Sequence, residues 1–146
     1  KNWDVFNGFI CQLEKNSFSI NSIHYYKGMT FLEINTMVGM VFNIYNSSIF
    51  DTIINWSYQN AITDPTNTYL QIDQILKNSK PRVIIAWPFP VDIHQVQSST
   101  NIHNDKYHTL FEYEWYKNEL KKTINIVDNE IAIFKNKYPS KCLHLS

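Results

Sequence analysis

Glycine is scarce in this chain. Only Gly8, Gly28 and Gly39 occur among 146 residues, and no two lie close enough to build a phosphate cradle. The Walker loop and the dinucleotide fingerprint are therefore excluded. Cysteine is scarcer still: Cys11 and Cys142 stand far apart and neither belongs to a C-x-x-C pair, which removes redox motifs and zinc knuckles. Two isolated buried thiols are expected, and with them a reducing, cytoplasmic setting. An excess of charge is missing too, since 13 basic side chains meet 13 acidic ones. A neutral chain has no general attraction for nucleic acid or anionic membrane, so neither is expected as a partner. The longest charge-free stretch, Ile34 to Phe50, is interrupted by Asn35, Asn43, Asn46, Ser47 and Ser48. It is too polar and too short to span a bilayer.

What is present is apolar and aromatic. Hydrophobic residues make up 44% of the chain and charged ones 18%, a composition that folds rather than stays disordered. The length suits a single domain over 1–146. Trp3, Phe6, Ile10 and Leu13 recur at helical spacing behind Asn2 and Asp4, which predicts an amphipathic N-terminal helix over 2–15. Gly8 is the one residue that weakens it. Phe18–Tyr26 and Met29–Asn35 read as strands of a hairpin turning at Lys27-Gly28. Met37–Tyr45 alternates Val38, Met40, Phe42 and Ile44 and reads as a third, central strand. The residues from 29 to 45 also fit a helical face, but their β-branched and aromatic content favours sheet.

Two helices are expected next, one after the cap cluster Asn46-Ser47-Ser48 and one opening at Asp64-Pro65. Val83–Trp87 is a short apolar run between prolines, the pattern of a buried strand. Residues 88–104 form a long polar loop, and 105–137 a long helix. The seam of that helix, Leu110, Tyr113, Lys117, Leu120, Ile124, Val127, Ile131 and Phe134, has heptad spacing with one violation at Lys117. The fold class is thus α+β: N-terminal helix, three-stranded antiparallel meander, two helices, buried strand, long C-terminal helix.

Three chemistries can be written on this frame. Asp105, His108 and Glu112 share a helix face, and with His94 or His103 they could hold a divalent metal for hydrolysis. Acidic residues in a first helical turn and histidines in a polar loop are, however, ordinary surface features. The order helix, meander, helix, strand over residues 2–87 resembles the core of the PD-(D/E)XK nuclease fold. That resemblance implies a metal-binding acid on the second strand, where Glu33 stands, and a carboxylate-lysine pair on the third. Met40–Tyr45 supplies neither. Lysines 117, 121, 122, 135, 137 and 141 gather along the last helix and tail. Glu112, Glu114, Glu119, Asp128 and Glu130 interrupt them, as on a solvated helix back.

The reading that fits the aromatic excess is a non-catalytic protein-binding module, resembling an immunity protein, an antitoxin or an assembly subunit. Its partner is another protein chain, like or unlike. At about 50 Å a helix of that length outreaches a domain about 30 Å across. Tyr113, Leu120, Ile124, Val127 and Ile131 are the expected contact residues, with no cofactor.

Overall fold

The computed structural model describes residues 3–10, 13, 16, 18–35, 42–55, 79–90 and 106–145, with helix side chains from residue 114 onward. The hairpin forms where local chemistry places it. Strands β2 (Ile20–Tyr26) and β3 (Met29–Ile34) pair antiparallel. Lys27 and Gly28 both adopt positive φ, 47° and 79°, the tight turn whose twist matches that of the flanking strands. At the open end Ser19 N–H donates to Asn35 Oδ1 at 2.8 Å. β5 (Val83–Trp87) is the expected buried strand. It lies between β1 and β3, and the burial of its side chains, complete at Val83, Ile85 and Ala86 and partial at Ile84 and Trp87, accounts for its unbroken apolar run.

The N-terminal segment overturns the expected helix. Val5–Asn7 is a strand, β1, parallel to β5 and antiparallel to β4 (Asn43–Tyr45). The helical spacing of Trp3, Phe6 and Ile10 is coincidental, because Val5 and Asn7 are buried on one face while Phe6 looks to the other. The strand ends where Phe9 N–H donates to Asn7 Oδ1 at 2.8 Å. Gly8 fits a close approach rather than a helix, since a Cβ there would meet the Phe42 ring at 2.2 Å.

β4 is the second correction. It sits on the sheet edge beside β1 and does not extend the hairpin, so among the described residues there is no three-stranded meander and the third strand is not central. Residues 37–41 of that expectation lie outside the described residues.

Among the described residues the sheet has six strands in the order β4-β1-β5-β3-β2-β6, the last being Cys142–His144, parallel to β2. Asn46 stands at the head of a 3-10 turn, Ser47–Ile49, followed by helical residues 50–55. Its side chain ties down the N-terminus instead of capping, donating to the Trp3 carbonyl at 2.9 Å. Ser48 Oγ donates to Asp4 at 2.6 Å. The helix expected after Asp64-Pro65 and residues 91–104 of the polar loop lie outside the described residues.

The long helix is observed as α1, Lys106–Lys137. One face of the sheet, carrying Val5, Ile23, Leu32, Ile34, Val83 and Ile85, forms the core with Val127 and Phe134 of the helix. Thr123 is buried beside them, and its hydroxyl has no hydrogen-bond partner among the described residues. Among the described residues no helix is long and apolar enough to cross a membrane.

Candidate functional site

The helix divides into two parts by burial. From residue 119 onward it alternates, with Thr123, Val127 and Phe134 buried and Leu120, Ile126, Glu130 and Ile131 half-buried. The contact seam therefore runs through Leu120, Thr123, Val127, Glu130 or Ile131, and Phe134, rotated slightly from the expected heptad. Lys117 violates that heptad because it does not lie on the packed side. At residues 114–118 every side chain is exposed. Five consecutive residues cover more than one full turn, so exposure is not confined to one face. Trp115 and Tyr116 lie here, 40% and 41% exposed, their rings edge-on with centroids 4.8 Å apart.

The expected contact residues separate accordingly. Val127 is wholly buried in its own core, and Leu120 and Ile131 are half-buried, whereas Ile124 turns outward at 37% exposure. The side chain of Tyr113 lies outside the description. Trp115 is the residue that heptad reasoning passed over. Its signal in the sequence was the aromatic pair Trp115-Tyr116, which no single seam can bury.

The opposite face of the sheet carries a polar chain bordering an apolar groove. Strand alternation puts Ser22 and His24 of β2, Glu33 of β3 and the Arg82 side chain together. Arg82 donates from Nε and Nη2 to the two Glu33 carboxylate oxygens at 3.3 and 3.0 Å. Ser22 Oγ donates to Glu33 Oε2 at 3.1 Å and lies 2.7 Å from His24 Nε2. A hydroxyl has one proton. With it given to Glu33, His24 must donate to Ser22, the reverse of what a base activating a serine nucleophile requires. Next to Glu33 in the β3–β5 ladder is Ile84, which with Trp3, Phe6, Phe31 and Ile44 lines a shallow groove of about 330 Å³.

Burial alone would raise the Glu33 carboxyl, but Arg82's hydrogen bond and charge, helped by Ser22 and His24, hold it below its ordinary 4.5. A carboxyl depressed on folding stabilises the fold above its unfolded pKa, and the gain is lost as pH falls through the folded value. Arg82→Gln should therefore cost about 0.5–1 kcal/mol at neutral pH, as for a pair whose cation is exposed to solvent, and close to nothing in strong acid. Urea unfolding at both pH values checks this, and a deficit that grows in acid would contradict it.

The alternative metal set is not brought into view. His94, His103 and Asp105 lie outside the described residues, and the side chains of His108 and Glu112 are likewise undescribed. Among the described residues no three His, Cys, Asp or Glu converge as metal ligands. The nuclease resemblance loses the element order on which it rested, since neither its first helix nor its meander forms. Its one acid, Glu33, is engaged by Arg82 and Ser22. Comparison with known proteins leaves the fold to stand alone: no family model, curated protein or solved structure matches this chain.

Proposed function

We propose that this protein is a non-catalytic protein-binding module, in the manner of an immunity protein, antitoxin or assembly subunit, whose contact element is the N-terminal part of α1. The observation that carries the reading is the exposed stretch 114–118, which contains Trp115 and Tyr116. Tryptophan and tyrosine are the residues enriched at binding hot spots, because they bury large area at small entropic cost. The helix is about 48 Å long, against about 24 Å for six strands side by side. Among the described helix side chains the buried positions run from Thr123 to Phe134. Ile124 extends the exposed apolar surface towards the body.

Native mass by light scattering tests the idea, with Trp115→Ala and Ile124→Asp as variants. If the partner is a second copy, the wild type should be a dimer or larger, and both variants should shift it to monomer without loss of helicity. If the partner is unlike, the wild type should be a monomer that retains one stoichiometric protein from its source, lost in the Trp115→Ala variant. A wild-type monomer that retains nothing, or a mass and a retained partner indifferent to both variants, would refute the assignment.

A further inference from the structure

Among the described residues β6 closes one side of the sheet and is paired with β2 alone. Its register, Ile23–Cys142, His24–Leu143 and Tyr25–His144, runs on to Leu145, whose N–H donates to the Tyr25 carbonyl at 2.8 Å. In a parallel ladder alternate residues turn both backbone groups towards the same neighbour. Leu143 and Leu145 therefore bond to β2. The N–H and C=O of His144 and the Cys142 carbonyl point away from the sheet, while the Cys142 N–H donates to the Pro139 carbonyl. His144 is itself exposed, so this backbone edge is open.

The two sides of the edge differ in chemistry. On the side away from α1, Leu143 lies beside His24, Leu145 follows beside Tyr26, and Met29 faces Tyr26 across the hairpin. Leu143, Leu145, Tyr26 and Met29 are all exposed. On the side of α1, His144 stacks on Tyr25 at 4.8 Å, and the Lys135 ammonium lies 5.5 Å from the same ring. Lys141 directly precedes the strand. Among the described residues neither lysine has a carboxylate partner. Residues 131–145 contain no acid, Asp128 accepts from the Trp87 indole, and Glu130 is half-buried. Glu33, one strand beyond β2, is held by Arg82 and Ser22.

We infer that β6 is a docking edge for an extended segment of another protein that alternates acidic and apolar side chains. Backbone N–H and C=O groups in strand register are matched by another extended chain, and by neither a lipid nor a nucleic acid. The period of two in the added strand places its acidic side chains beside Lys135 and His144 and its apolar ones beside Leu143 and Leu145. A second copy is excluded by charge. Pairing β6 with another β6 sets two cationic edges face to face, and lysines beside a short edge strand guard against that pairing. The edge lies about 30 Å along α1 from Trp115 and does not depend on the role proposed for that residue.

The test is an NMR titration of the isotope-labelled chain with a capped peptide of about six residues, a common strand length, alternating glutamate and valine. Amide shifts should gather at Cys142–Leu145 and Lys135. His144→Pro removes the outward N–H and leaves the bonds to β2 in place, so it should abolish those shifts. Lys135→Gln and Lys141→Gln should each weaken binding by about threefold at low salt, as for an exposed ion pair. Trp115→Ala should leave it unchanged. The same peptide N-methylated at every backbone nitrogen should not bind, which tests the pairing without altering the protein. No shifts at low salt would overturn the inference, as would equal binding by the N-methylated peptide or by one alternating lysine and valine. A wild-type dimer that His144→Pro dissociates would also overturn it, by showing a second copy on the edge.

Discussion

Val127→Asp should unfold the protein. The valine is wholly buried between α1 and the sheet, and the only unsatisfied polar group described beside that seam, the Thr123 hydroxyl, is uncharged. An unpaired carboxylate in such a site costs at least about 4 kcal/mol, a large share of the 5–15 kcal/mol, roughly, that holds a domain together. Ile124→Asp, three residues earlier and exposed, should change stability by less than about 1 kcal/mol. Denaturant unfolding of the two variants side by side checks the register of the helix on the sheet. If they were equally stable, the helix would have to be rotated from the orientation described.

Phe134→Ala should be the most damaging truncation on the helix. Its ring is 6% exposed, belongs to the core cluster and contacts Tyr138 at 5.2 Å. Losing a buried phenyl group costs about 3–5 kcal/mol in transfer and cavity terms. The effect should reach β6, because Tyr138 N–H donates to the Phe134 carbonyl and leads through Pro139–Lys141 into that strand. Trp115→Ala removes a larger ring from the same helix and should cost under about 1 kcal/mol, because that ring is not packed into the core. The contrast separates the part of α1 that holds the fold together from the part proposed to bind. Thermal melts showing equal losses for Phe134→Ala and Trp115→Ala would remove the distinction.

Some of the fold was legible because its causes are local. Gly28 beside Lys27 announces a two-residue turn, and the alternation on either side follows from the pleat. Val83–Trp87 between prolines announces a buried strand, and the 3-4 spacing beyond Lys106 announces a long helix. The N-terminal strand was illegible for an equally plain reason. Trp3, Phe6, Ile10 and Leu13 satisfy a helical period, while the groups that make Val5–Asn7 a strand belong to residues 43–45 and 83–85. The same holds for β4, whose partner is β1 and not its neighbour in sequence. For the candidate contact residues, a heptad marks apolar positions without saying which of them the protein's own sheet will cover. Ile124 and Val127 are three residues apart, alike in chemistry and opposite in fate.

The amino-acid sequence by itself determined the elements whose hydrogen bonds close within a few residues: the hairpin, the long helix, the punctuation around Val83–Trp87. It also excluded nucleotide-cradling loops and zinc knuckles, because those need residue types at spacings this chain does not possess. Only the tertiary structure decided which strands neighbour one another, which helix residues face inward, and that the Glu33 carboxylate meets Arg82. Strand order and charge placement depend on contacts between segments tens of residues apart, and no pattern read along the chain contains them.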